Sequence, residues 1–148
     1  MKELTVYKDE FCISTNKGKL DINAIHEFLS TKAYWSLNIP IDKVQTAIKN
    51  SFCFGVYKDK KQIGFARVIT DFSTIAYLGD VYIKEEYRGL GLSKWLMEIV
   101  MNHPNLQGLR RWILLTGDAH ELYRKFGWTD IADATKWMEL HNIDVYSK

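Results

Sequence analysis

Prolines and cysteines are scarce in this chain. Only Pro40 and Pro104 interrupt its 148 residues, and no Gly/Ser-rich linker, low-complexity tract or repeat period lies between them, which excludes tethered modules and solenoids. The expectation is one domain covering residues 1–148, long enough to bury most of its apolar surface. The two cysteines, Cys12 and Cys53, stand far apart without C-x-x-C spacing or a nearby histidine, so neither a zinc site nor a disulfide scaffold is expected, and no metal is called for. Neither sign of charge dominates: 20 basic and 18 acidic side chains leave a net +2. With the signs interspersed there is no basic stripe for a nucleic acid to follow. Long apolar runs are missing too, and the opening MKELTVYKDEF is charged where a signal peptide needs an apolar core, so no membrane partner and a cytoplasmic location are expected.

What the chain does have is an ordinary globular balance, 47% apolar and 26% charged, far from the signature of disorder. Leu4 to Tyr7 and Phe11 to Ser14 read as short strands. Asp21 is placed to cap a helix burying Ile22, Ile25, Phe28 and Leu29, and a second helix from Asp42 carries Val44, Ala47 and Ile48. The intervening Thr31 to Ile41 is a loop containing Tyr34 and Trp35. From Phe52 the periodicity becomes strand-like: Phe52 to Tyr57, Gln62 to Thr70 and Ile75 to Ile83, separated by polar turns, predict an antiparallel meander. A helix with Leu92, Trp95, Leu96, Ile99 and Val100 on one face follows and stops near His103-Pro104. Arg111 to Thr116 reads as a buried strand, Asp118 to Phe126 as a helix with Asp118 as its N-cap, and Trp137 to Leu140 as a final strand. The sum is an α/β (α+β) sheet with helices packed against it.

Between the strand ending at Ile83 and the next helix lies Arg88-Gly89-Leu90-Gly91-Leu92-Ser93-Lys94. A diphosphate needs several converging donors. Successive backbone N–H groups entering a helix N-terminus supply them, together with the positive end of the helix dipole, and glycines let the backbone approach. A lone G-x-G is usually only a turn, but the strand–loop–helix context supports anion binding. The dinucleotide pattern G-x-G-x-x-G and the Walker pattern G-x-x-x-x-G-K-[ST] are both absent.

These residues resemble the acetyl-CoA motif of the GNAT acetyltransferases, [QR]-x-x-G-x-[GA]. Arg88 to Ser93 follows it except at the last position, where Ser93 adds a side chain that either shifts the pyrophosphate slightly or donates its hydroxyl to it. A second segment, Asp118-Ala119-His120-Glu121-Leu122-Tyr123-Arg124-Lys125-Phe126-Gly127-Trp128, is similar to the family's A-x-x-L-Y-x-x-x-G-[FW]. The resemblance covers roughly Phe52 to Trp128. It implies the GNAT acyl-CoA N-acyltransferase fold, a mixed, curved central sheet with flanking helices whose two parallel strands, Ile75 to Ile83 and Arg111 to Thr116, splay apart to admit the pantetheine arm of acetyl-CoA as co-substrate. Backbone groups of Val81, Tyr82 and Ile83 would pair with the pantetheine amides as an added strand. Arg88, Gly89, Leu90, Gly91, Leu92, Ser93 and Lys94 would hold the pyrophosphate. Thr116 stands where many members carry asparagine, which leaves one coenzyme or water contact at that position open.

Acetyl transfer to an amine needs an unprotonated amine, a stabilised oxyanion and a proton or hydrogen bond for the departing thiolate. Tyr123 is the candidate acid, as the resemblance also implies, because a phenol with a pKa of about 10 can donate to a thiolate of about 8.5; a tyrosine merely packed on the sheet is the competing reading. Asp80 on the central strand is the leading base, and pairing with Arg67 on the neighbouring strand is its equal alternative. His120 shares a helix with Tyr123 but is expected to be solvated or to act as a cap. Tyr34 and Trp35 would border the acceptor side, where an aromatic pair could clamp an apolar or cationic amine; core packing is the other reading. The expected activity is transfer of acetyl from acetyl-CoA to a primary amine of a small molecule or peptide. The alternative is a non-catalytic acyl-CoA-binding or sensor protein of the same fold, against which Tyr123 argues. The pattern leaves the acceptor undefined and is compatible with a homodimer.

Overall fold

The computed structural model describes residues 1–147. Six strands, β1 (Thr5–Lys8), β2 (Phe11–Ser14), β3 (Phe52–Lys58), β4 (Lys61–Thr70), β5 (Ile75–Ile83) and β6 (Arg111–Leu114), lie side by side in chain order. The first five form an antiparallel meander, and β6 returns parallel to β5. Parallel neighbours need a crossover, here supplied by α3 (Leu92–Met101). The other helices are α1 (Ile22–Thr31), α2 (Ile41–Lys49) and α4 (His120–Arg124).

The middle strands are apolar almost throughout because helices cover both faces of the sheet. On one face Ile25, Phe28 and Leu29 of α1 and Val44 and Ile48 of α2 pack on Cys53, Phe65 and Tyr82. On the other, Leu92, Trp95, Leu96, Met97 and Val100 of α3 and Tyr123 of α4 pack on Phe54, Val56, Val68, Ala76 and Leu78. Met97 belongs to this apolar stripe and is fully buried, whereas Ile99, expected in it, is only partly covered. The Asp21 side chain caps α1 as expected, accepting from the Ala24 amide at 3.0 Å.

Four expectations are corrected. Asp118 does not cap α4. α4 starts from Ala119 with no side-chain cap; Thr116 Oγ1 instead closes the turn ahead of it, accepting from the Ala119 amide at 3.0 Å and the Asp118 amide at 3.4 Å, as a hydroxyl two or three residues ahead of such amides does. That turn shortens α4 to His120–Arg124, and it begins soon after β6 ends at Leu114 rather than Thr116. Trp137 to Leu140 forms no strand. A strand exists only where a ladder satisfies its backbone, and the backbone bonds within residues 129–147 are local turns such as Lys136 to Asp133 and Val145 to Asn142.

Candidate active site

The site is opened by a defect in β5. Its partnership with β6 ends at Leu78↔Leu114, so Gly79 to Ile83 run on with no strand on that side among the described residues. Against β4, Arg67 lies opposite Gly79 and Phe65 opposite Tyr82; two steps on β4 match three on β5, so β5 carries one extra residue. This bulge sits at Asp80, whose φ of +54° is left-handed. One inserted residue reverses which face each later side chain takes. Before it, Ala76 and Leu78 point into the α3 side of the core; after it, Tyr82 points into the α1–α2 side. There the Tyr82 ring stacks on Phe28 at 3.8 Å. Its hydroxyl is buried with no hydrogen-bond partner, and burial pushes its pKa far up.

Asp80 gathers three elements. Its Oδ2 accepts from Arg67 Nε on β4 at 2.7 Å, and its Oδ1 accepts from Trp35 Nε1 in the α1–α2 loop at 2.9 Å. Arg67 in turn donates from Nη1 to Ser51 Oγ at 3.1 Å. The loop is held by its own bonds: Ser36 Oγ donates to the Leu29 carbonyl, the Asn38 amide to Ser30, and His26 Nε2 meets the Ile39 carbonyl. Tyr34 and Trp35 stand edge-to-face at 5.0 Å and are 59% and 45% exposed, so they lie at the surface and not in the core. The Tyr34 hydroxyl accepts from the Gly117 amide at 2.8 Å, joining this pair to the turn before α4.

At the far end of β5, Arg88 turns back and donates from Nε to the Ile83 carbonyl at 3.2 Å. Gly89 and Gly91 have φ of +81° and +78°, conformations that L side chains rarely adopt. Gly91 is the N-cap of α3 and offers no side-chain acceptor, so the first amides of that helix have no cap partner there. Leu92 faces the core and has only its amide to offer, while Ser93 is half-buried and Leu90 and Lys94 are exposed beside the turn.

Tyr123 is buried in the sheet-facing side of α4, its ring 5.9 Å from that of Trp128. Burial, reinforced by the neighbouring Asp118 carboxylate and the Tyr34 hydroxyl, pushes its phenol up to about 12. It therefore stays protonated across neutral pH and can donate but not abstract. His120 is exposed at the first turn of α4.

Tyr34, Trp35 and Asp80 are thus joined by direct bonds or ring contact, and Tyr123 feels Tyr34 electrostatically. The glycine turn sits separately at the other end of the exposed β5 edge. Ser51 and Gly117 were missed from the sequence, since their contacts span large separations in the chain. The bulge did leave a trace: Gly79-Asp80 inside an apolar strand is a pair that tolerates left-handed backbone.

A meandering sheet that turns parallel at its last pair, with a glycine turn feeding an uncapped helix, defines an acetyltransferase type of architecture. The profile described as "Acetyltransferase (GNAT) domain" matches residues 49–130. A Gibberella zeae protein assigned to the acetyltransferases is 33% identical over 140 residues, covering 80% of this chain and 78% of that protein. The crystal structure of a Xanthomonas campestris protein assigned to the GNAT family is 48% identical with a TM-score of 0.91, covering 93% of this chain and 97% of that one. A Clostridium acetobutylicum acetyltransferase solved with acetyl-CoA shares the fold at 18% identity and a TM-score of 0.59, covering 84% and 94%. The chain belongs to the GNAT acetyltransferase family.

Proposed function

We propose that this chain transfers the acetyl group of acetyl-CoA to a primary amine by direct attack of the amine on the thioester. The observation that carries the reading is the unpaired edge of β5, Gly79 to Ile83, which leads into the uncapped N-terminus of α3. The open side of β5 along Val81, Tyr82 and Ile83 suits an extended amide-bearing arm, with the Ile83 carbonyl already taken by Arg88. The amides after Gly89 and Gly91, with Lys94 nearby, suit a diphosphate. Acetyl-CoA has that arm and that diphosphate, and the Clostridium acetobutylicum relative carries it.

In this reading Tyr123 donates its phenolic proton to the thiolate as the carbon–sulfur bond breaks, a role suited to a group held protonated. An amide at the open part of β5 near Tyr82 or Ile83 stabilises the oxyanion. Asp80 receives the acceptor amine. A carboxylate can accept about four hydrogen bonds and Arg67 and Trp35 use two, which leaves room for an amine N–H and a proton passed on through water. Tyr34 and Trp35 form the acceptor-side wall, whose exposed ring faces favour an amine carried on an apolar or cationic body. Thr116 serves the site by shaping the turn ahead of Tyr123.

Calorimetric titration with acetyl-CoA and CoA tests this, followed by an amine screen read through thiol release. Saturable binding with turnover supports the proposal; binding without turnover on any amine would reduce the chain to an acyl-CoA binder, and no binding at millimolar acetyl-CoA would overturn the reading.

A further inference from the structure

The backbone alone fixes little about the direction of the Asp80 carboxylate. The side chain turns freely about its own bonds and grows from the extra residue of a bulge, with φ of +54°. A group that meets an incoming amine needs its oxygens held to within about 0.5 Å. That hold comes from outside the strand. Oδ2 accepts from Arg67 Nε at 2.7 Å and Oδ1 from Trp35 Nε1 at 2.9 Å, so a different element grips each oxygen. The two grips are not equal. Trp35 belongs to a loop and is 45% exposed, whereas the Arg67 side chain lies on a central strand and is 17% exposed.

Arg67 is itself tied down beyond Asp80. Its Nη1 donates to Ser51 Oγ at 3.1 Å, and that hydroxyl gives its one proton to the Ala47 carbonyl at 2.6 Å. Ala47 lies in the last turn of α2, where carbonyls lack amide partners within the helix and a guanidinium suits the dipole. With its proton committed to Ala47, Ser51 turns only lone pairs toward Arg67. The guanidinium is planar and rigid, so fixing Nη1 at Ser51 also fixes the direction of Nε at Asp80. The end of α2 is thereby linked to the β5 bulge through a run of donors that all agree in direction. A lysine, with a single point charge on a flexible stem, could not serve both partners in that geometry.

We infer that Arg67 and Ser51 are positioning residues for acetyl transfer: together they pin Asp80 Oδ2 to the sheet and leave Oδ1, on the side of the exposed Trp35 ring, to receive the acceptor amine. The inference rests on the proposed role of Asp80 as the acceptor-side carboxylate. In the step it serves, the amine nitrogen bonds to the acetyl carbon and gives a proton to Oδ1, directly or through water. The carbon–sulfur bond breaks and the thiolate takes a proton from Tyr123. Neither Arg67 nor Ser51 touches a reacting atom, and both act by aiming Asp80. A misplacement of about 1 Å at such a group can cost on the order of 100-fold in rate.

The test is a mutant cycle of wild type, Ser51→Ala, Asp80→Asn and the double variant. Thiol release from acetyl-CoA is followed with the amine of the screen above that turns over fastest, beginning with 2-phenylethylamine and agmatine as probes of an apolar and a cationic body. Ser51→Ala leaves Asp80 and Arg67 in place. It should lower kcat about tenfold with the KM for acetyl-CoA unchanged. The loss should shrink to less than about twofold in the Asp80→Asn background, where no carboxylate remains to be aimed. Arg67→Lys should be at least as slow as Ser51→Ala. In the protein without substrates, the Trp35 Nε1 proton should exchange with solvent several-fold faster in Ser51→Ala, because slack at Oδ2 loosens Oδ1. Asp80→Asn at the wild-type rate, or a wild type idle on every amine of the screen, removes the acceptor reading and this inference with it. With Asp80→Asn impaired, the acceptor reading stands and the positioning role is overturned by any of three results: Ser51→Ala or Arg67→Lys at the wild-type kcat, an equal loss from Ser51→Ala in both backgrounds, or unchanged Trp35 exchange.

Discussion

Arg67 and Asp80 face each other at 2.7 Å across β4 and β5, with Asp80 held in a left-handed backbone at the bulge that redirects β5. Their side chains are 17% and 12% exposed, so each is poorly supplied with water if the other is removed. Asp80→Ala removes the charge partner and the acceptor for Trp35 and keeps the unfavourable φ. It should destabilise by about 3 kcal/mol, as for a part-buried pair broken on one side. Asp80→Asn retains an acceptor and a residue tolerant of that backbone and should cost clearly less. Urea melts of the two variants decide this; equal stability to wild type in Asp80→Ala would show the pair to be energetically idle.

Tyr123→Phe removes one oxygen from a well-packed ring. We expect acetyl-CoA affinity within about twofold of wild type, and kcat lower by on the order of 100-fold when chemistry is rate-limiting. Wild-type turnover in the variant would dismiss the acid role. Because the phenol is raised to about 12, the kcat/KM profile should show no basic limb from this group below about pH 10.

Gly91→Glu separates folding from binding. A Cβ at Gly91 meets nothing within 4 Å, and the strain arises from its φ of +78°. The folding cost should stay near 1–2 kcal/mol, while an acid at the proposed diphosphate site should weaken acetyl-CoA binding beyond calorimetric detection. Binding that survives would place the diphosphate elsewhere.

Thr116→Ala should cost about 1 kcal/mol by removing the hydroxyl that accepts from the Asp118 and Ala119 amides in the turn before α4, and Asp118→Ala almost nothing, since the Asp118 side chain caps no amide there. Thermal melts of the pair would reverse that order if Asp118 were the cap.

Alkali should unfold the protein before lysines or arginines titrate fully. Tyr82 and Tyr123 are both pushed up by burial, so above about pH 10 the unfolded chain loses phenolic protons that the folded chain keeps. The stabilisation is complete below pH 10 and is lost as pH rises toward 12 and beyond. Each tyrosine held neutral contributes a slope of up to about 1.4 kcal/mol per pH unit. Denaturant midpoints from pH 9 to 11.5 measure it, and Tyr123→Phe should flatten the fall.

Much of the fold was readable from local pattern. Strand alternation from Phe52 to Ile83, the Asp21 cap and the glycine turn before the Leu92 stripe each depend on neighbours within a few residues, and each stands where expected. The end of the chain was not readable in the same way. Trp137 to Leu140 has a strand's alternation but finds no ladder among the described residues, and α4 starts without the Asp118 cap because the preceding turn, held by Thr116, moves the helix start to Ala119.

The sequence by itself determined the order of elements and the family motifs, because periodicity, glycine at left-handed positions and turn chemistry act locally along the chain. Only the tertiary structure decided that one extra residue at Asp80 turns Tyr82 onto Phe28, that Arg67, Trp35 and Asp80 meet although 45 residues separate Trp35 from Asp80, and that, among the described residues, β6 is left with an open edge. Those relationships depend on strand register and long-range closure, which arise when the sheet assembles and leave almost no mark on any short stretch of sequence.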